Sequence, residues 1–200
     1  MEDEMSSSMD RQKIFRRFPE LETPRLRLRE IDIGDVEWYF GHFSKKEIVH
    51  GQGFPAPKGI GGARTELRRY FIDLFNQKNG FRWGIELKEG GGLIGSCGYY
   101  KWLKPDGHQA EIGYDLDPEY WGKGIMTEAL TAIIDFGFKR MRLNRIELLA
   151  MPRNRRSIRL AKKLGFVKEG TLREHGFDEK GRRTDDTLFS LLKKDWMSRT

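Results

Sequence analysis

The segment Asp117-Pro118-Glu119-Tyr120-Trp121-Gly122-Lys123-Gly124-Ile125-Met126-Thr127 constrains the fold of this chain more than any other. The residues before it, Gln109–Leu116, read as a strand, and Asp117-Pro118 ends it because proline cannot continue a hydrogen-bonded ladder. After the glycines, Met126, Leu130, Ile133, Gly137 and Met141 recur three or four apart, which predicts a helix over 122–141 with one buried face. Arg145–Ala150 then reads as an apolar strand. A strand–helix–strand crossover follows, right-handed by default. Its helix starts at the C-terminal edge of a strand, where α/β sheets tend to bind ligands. The first amides of a helix lack intrahelical partners and, with the helix dipole behind them, attract phosphate oxygens. Gly122 and Gly124 let backbone approach such a group closely, and Lys123 adds positive charge. An ordinary loop-to-helix turn would use the same residues. The two large nucleotide motifs fail: a Rossmann fingerprint needs glycine where Thr127 stands, and a Walker A loop needs Ser or Thr where Gly124 follows Lys123.

Around this unit the chain reads as one mixed α/β domain over 21–197, preceded by a loose, Ser-rich and charged tail over 1–20. Leu26 and Leu28 alternate with arginines as in a half-buried strand. Helices are predicted over 33–43 and 63–77, with a Gly- and Pro-rich loop over 51–62 between them. Strand-like runs at 82–87 and 93–102 join through Glu89-Gly90-Gly91-Gly92, a hairpin signal. A helix over 152–164 and a closing hairpin of Val167–Phe177 with 184–192 complete the order. Strands and helices do not alternate throughout, so a doubly wound parallel sheet is excluded. About seven strands, mostly antiparallel, and about four helices are expected.

Composition narrows the function classes. Aromatics at 12% exclude a disordered chain. Lys+Arg 37 against Asp+Glu 30 leaves a net charge of +7, which suits an anionic ligand or a nucleic-acid neighbour. The single cysteine, Cys97, excludes an internal disulfide and a multi-cysteine zinc site, and it reads as core. His42, His50, His108 and His175 show no metal-ligand spacing, so no metal is expected. No apolar run nears the ~18 residues of a membrane span. The Met-Glu-Asp-Glu start is the opposite of a signal peptide's positive n-region, so the expected compartment is the cytoplasm.

A second constellation is Asn154-x-x-Ser157, followed by Leu164-Gly165-Phe166. Asparagine before a helix with a polar residue three later is ordinary capping, and Gly165 sits where helices favour a glycine stop. Arg153, Arg155, Arg156 and Arg159 make a basic cluster, either a solvated helix face or a contact for phosphate or RNA.

Taken together, these segments resemble the GNAT superfamily of acetyl-CoA-dependent N-acetyltransferases, and within it the RimJ/RimL-type branch that acetylates ribosomal-protein N-termini. The resemblance runs from Thr23 to about Trp196. It rests on Thr-Pro-Arg-Leu-Arg-Leu-Arg at 23–29, Ala-Glu-Ile-Gly-Tyr at 110–114, Tyr-Trp-Gly-Lys-Gly at 120–124 and Thr-Glu-Ala at 127–129. Leu-Asn-Arg-Ile-Glu at 143–147, Asn154-x-x-Ser157, Leu-Gly-Phe at 164–166, Gly181 through Asp185 and Lys-Asp-Trp at 194–196 extend it. The superfamily's pyrophosphate motif, Gln/Arg-x-x-Gly-x-Gly/Ala, stands here as Trp121-Gly122-Lys123-Gly124-Ile125-Met126. Both ends depart from the general form, and Trp at the first position is common in the branch.

The resemblance implies a GNAT-like fold with a V-shaped opening between the two central strands, 109–116 and 145–150. It implies acetyl-CoA as cosubstrate, its pyrophosphate on amides of Trp121, Gly122, Lys123, Gly124, Ile125, Met126 and Thr127. The pantetheine arm would pair with strand backbone around Leu116 and Asp117 in the manner of strand addition. Asn154 would bond the pantetheine, and Ser157 would protonate the departing thiolate. A primary amine is mostly protonated at neutral pH and calls for a base. Glu111 is the first candidate, with Glu147 and Glu174 as rivals and His175 as a further proton-transfer group. The expected acceptor is a protein N-terminus, with a polyamine or aminoglycoside as the alternative. The reading from a different class is an inactive, basic ribosome- or RNA-associated module. A homodimer and proximity to the ribosome are further expectations.

Overall fold

The computed structural model describes residues 13–103 and 108–199. Eight strands form one sheet in the order β1-β2-β3-β4-β5-β6-β8-β7. They are β1 (Leu21–Glu22), β2 (Leu26–Arg29), β3 (Phe81–Leu87), β4 (Leu93–Leu103), β5 (Gln109–Leu116), β6 (Arg145–Ala150), β7 (Val167–Phe177) and β8 (Arg183–Leu192). Among the described residues β5 and β6 run parallel, and every other neighbouring pair is antiparallel. The helices are α1 (Val36–Phe43), α2 (Lys46–Gln52), α3 (Gly59–Leu67, continuing through a π-helical turn to Asn76), α4 (Ile125–Lys139), α5 (Arg155–Leu164) and α6 (Lys193–Met197). No helix among the described residues is long and apolar enough to cross a membrane.

Alternation along β3 sorts the core onto two faces. Trp83 and Ile85 join α4 and α5 residues such as Leu130, Ile133 and Leu164 in the main cluster. Between them Gly84 meets Ile31 and Leu93, which belong with Tyr39, Phe43, Leu67 and Phe71 to a second cluster under α1–α3. The sheet is thus covered on both sides. Cys97 is fully buried in the main cluster, as its strand position predicts.

Three expectations change. Strand and helix counts rise because short elements carry too few buried positions to show a period. Leu21–Glu22 adds an edge strand of two residues, and Ile48 is the only buried side chain of α2. The 51–62 loop shrinks: α2 runs to Gln52, and α3 begins at Gly59, where glycines that read as breakers lie on its open side. Part of the tail expected over 1–20 is anchored. Residues 1–12 lie outside the described residues, while Phe15 and Phe18 are buried and pack edge-on or tilted against Phe75 and Phe81. The Trp83 indole also donates to the Pro19 carbonyl. Their aromatic rings supply the anchoring that a polar tail lacks.

Gly137 tests the packing of α4 on the sheet. A methyl group there would overlap the buried Tyr99 hydroxyl, which donates to the Ile133 carbonyl at 2.7 Å. Gly137→Ala improves helix propensity by about 1 kcal/mol. Overpacking costs about 1–3 kcal/mol, so a net loss of stability is expected in urea unfolding. In a Tyr99→Phe background, where the hydroxyl is gone, Gly137→Ala should cost less but still destabilise, because the ring Cζ at 2.9 Å must give way.

Candidate active site

The parallel ladder between β5 and β6 runs from Gln109↔Arg145 to Ile112↔Leu148 and stops. Beyond it, β5 stays paired with β4 up to Gly95↔Leu116, while β6 stays paired with β8 through Ala150↔Thr187. Each strand follows a different neighbour, and a V opens between them. The β5 edge at residues 113–116 that faces β6 therefore has no strand partner. A cleft of about 990 Å³ enters there, lined by Glu111, Gly113 and Tyr114 of β5, Ala150 of β6, and Asn154 and Ser157 at the start of α5.

The glycine loop sits where β5 hands over to α4. Gly122 and Gly124 both take φ 76°, a left-handed conformation that suits glycine. No side chain caps α4, so the amides of Ile125, Met126 and Thr127 retain the unmatched donors of a helix start. The acidic residue of that first turn, Glu128, is turned away to Thr23 and Arg25 at 2.5 and 2.6 Å. Arg25 also donates to the Lys123 carbonyl at 3.1 Å. Trp121 shows what its departure from the general motif does: its indole N–H donates to the Leu116 carbonyl at 2.7 Å, and Arg156 lies 4.1 Å over its ring. The loop is braced from strand and helix, with donors and glycines arranged as a phosphate group requires.

At the start of α5, Asn154 accepts from the Ser157 amide at 3.1 Å and donates to the Gly51 carbonyl at 3.3 Å. Its amide is engaged at both ends within the protein, so a bond to pantetheine would draw on its remaining hydrogen. The Ser157 hydroxyl is 2.7 Å from the Tyr114 hydroxyl across the opening. Burial pushes Tyr114 up to about 12, against the opposing effect of its bond to Ser157, so the phenol is neutral. Tyr114 joins the candidate site through the structure alone, since the sequence did not single it out. Its signal is its place on β5 beyond the last paired residue, which only the register reveals.

The carboxylates separate cleanly. Glu111 lines the cleft. Glu147 instead accepts from Arg145 at 2.7 Å, and Glu174 lies on exposed hairpin backbone with φ 51°. His175 reaches the cleft and bonds Asp186 at 2.9 Å. The arginine cluster divides: Arg153 turns to Glu179 and the His50 carbonyl, while Arg156 stacks on Trp121. Phe54, Tyr70 and Phe177, 64%, 39% and 49% exposed, rim the cleft.

A buried charge network underlies the same strand. His42 of α1 bonds Asp115 through Nε2 at 2.7 Å and Asp117 through Nδ1 at 2.9 Å. Lys45 adds a bond to Asp117 at 2.6 Å, and Arg82 and Ser96 hold Asp115. Burial opposes the charge on His42, but the two aspartates outweigh it and push its pKa up to about 9. Asp115 and Asp117 are lowered, burial notwithstanding, by Arg82, His42 and Lys45. Sequence showed only scattered histidines. The legible hint was two aspartates two apart, one at the end of a strand and one just past it.

Residues 25–167 match the acetyltransferase (GNAT) domain family. The chain is 36% identical to the uncharacterized N-acetyltransferase YoaA of Bacillus subtilis over 176 residues, 88% of this chain and 98% of that protein. It is 31% identical to the ribosomal protein uS5-alanine N-acetyltransferase of Escherichia coli over 78% of each chain. The crystal structure of the ribosomal-protein-S5-alanine acetyltransferase of Vibrio fischeri superposes with a TM-score of 0.75 at 28% identity, covering 89% of this chain and 98% of that one. The chain belongs to the GNAT family and is an N-acetyltransferase.

The charge network sets a pH profile for stability. A pKa raised from 6.5 to about 9 means that His42 stabilises fully below 6.5, and that this contribution fades as pH rises through about 9. The loss should be on the order of 3 kcal/mol. The lowered aspartates act oppositely, their share fading in acid. Urea unfolding across pH should show the alkaline decline, and His42→Gln should flatten it.

Proposed function

We propose that this enzyme transfers the acetyl group of acetyl-CoA to a primary amine, with a protein N-terminus as acceptor. The observation that carries the reading is the β5–β6 ladder that ends at Ile112↔Leu148 and opens onto the cleft. That edge offers backbone to an extended amide-bearing arm, and the uncapped start of α4 offers amides to the pyrophosphate at its far end. The names of the uS5-alanine relatives support a ribosomal-protein N-terminus, and the aromatic rim of Phe54, Tyr70 and Phe177 suits the first side chains of a peptide.

Bound acetyl-CoA supplies an acyl carbon activated as a thioester. Backbone N–H groups of β5 polarise its carbonyl, an oxyanion-type contribution. Glu111 takes the proton from the incoming ammonium, directly or through one water. The amine nitrogen then bonds the acyl carbon as the carbon–sulfur bond breaks. Ser157 delivers a proton to the departing sulfur and draws one from Tyr114, at 2.7 Å, and the phenol is restored by the second proton that the acylated nitrogen sheds, through water, as it becomes a neutral amide. The cleft holds amine and thioester in register, and positioning of this kind can supply roughly 7–11 kcal/mol of a barrier.

Three experiments test this. Incubation with acetyl-CoA and peptides with free N-termini, or with polyamines and aminoglycosides, followed by mass spectrometry, should give N-terminal acetylation of peptide; exclusive acetylation of the small amines would overturn the acceptor. Gly124→Asp should abolish acetyl-CoA binding in calorimetry while the protein stays folded, because charge and side chain would enter the phosphate site. For the chemical step, Ser157→Ala should lower kcat by about 10²-fold or more with acetyl-CoA affinity nearly unchanged. Tyr114→Phe should lower it by a smaller factor, and the double variant should be no worse than Ser157→Ala alone.

A further inference from the structure

We propose that His42 is a positioning residue for the acetyl-CoA site: with Lys45 it fixes the end of β5 from which both the unpaired strand edge and the glycine loop depart. The inference rests on the acetyl-CoA reading above. His42 is 2% exposed, and its two ring nitrogens bond Asp115 and Asp117, the residues on either side of Leu116. The Leu116 carbonyl is the one that the Trp121 indole grips. Asp117 is the residue at which strand becomes loop, and its amide donates to the Ile94 carbonyl at 2.8 Å. The clamp therefore acts on the short stretch that sets the direction of both cofactor-facing segments.

The groups around the imidazole come from several elements. Asp115 and Asp117 face it from β5 and the turn beyond; Arg82 of β3 bonds Asp115, and Lys45, just after α1, bonds Asp117. Trp38 stacks on the ring with centroids 5.0 Å apart, and Phe43 meets it edge-on at 4.9 Å. Buried ion pairs are poor sources of net stability, because desolvation offsets their attraction, and apolar replacements are often neutral. What they supply is a fixed geometry. Here that geometry ties α1, which also gives Tyr39 and Phe43 to the cleft wall, to the strand that carries Glu111 and Tyr114. One ring thus joins the acceptor wall to the cofactor edge.

The test is calorimetric titration of acetyl-CoA, without acceptor, into wild type, His42→Gln and Lys45→Met. Glutamine can serve one of the two aspartates but not both. Lys45 is 39% exposed, so its removal leaves the fold intact if the imidazole fails to be replaceable. His42→Gln should weaken binding by about tenfold or more, with kcat at saturating acetyl-CoA changed far less, and Lys45→Met should weaken it in the same direction. Wild-type affinity should hold at neutral pH and fall as pH passes about 9, and this limb should be missing in His42→Gln. Folded variants of both kinds that bind as wild type, with only lower thermal midpoints, would overturn the inference while leaving the acetyl-CoA reading intact. A wild-type protein that fails to bind acetyl-CoA would overturn that reading and this inference with it.

Discussion

Between β5 and β6 the hydrogen-bonded ladder holds from Gln109↔Arg145 to Ile112↔Leu148, and then each strand keeps only its outer neighbour. Backbone donors and acceptors inside a sheet normally find partners, so an edge without a strand partner at the centre of eight strands is a surface that other groups can occupy, as the Trp121 indole already does at the Leu116 carbonyl. On the α4–α5 face the Tyr114 and Ser157 hydroxyls pair across the gap. The cleft, its glycine loop and its carboxylate are arranged around that gap.

The two faces of the sheet divide the work. On the α4–α5 face lie the glycine loop, Ser157 and the basic residues Lys123 and Arg156; on the α1–α3 face lie Tyr39, Phe71 and the charge network on Asp115. The V connects the two faces, and in the proposed reaction the donor from the helix start and the amine from the aromatic rim would meet at β5. Close contacts tie the rim in place: Gly53, at φ 75°, brings its backbone against the Phe177 carbonyl, where any side chain would collide. The Arg153–Glu179 pair at 2.8 Å joins the same hairpin to the start of α5.

Much of this was legible in the sequence, for reasons that can be stated. Long elements with full apolar periods, such as α4, announce themselves, and Asp117-Pro118 followed by Gly122-Lys123-Gly124 marked the junction between β5 and α4 directly. Asn154 caps α5 and Gly165 ends it in the left-handed conformation, as their positions predict. What stayed hidden depends on contacts distant along the chain. The bond between Tyr114 and Ser157 spans 43 residues, and that between His42 and Asp115 spans 73. Phe15 and Phe18 lay in a polar context that masked their burial, and α2 buries too little to show a face.

The most direct test of this account is amide hydrogen exchange with and without acetyl-CoA. An open β5 edge and an uncapped α4 start predict that the ligand slows exchange at residues 113–116 and 122–127, while the β3–β4 hairpin stays unchanged. Protection confined to other segments, or none at these two under saturating acetyl-CoA, would contradict it.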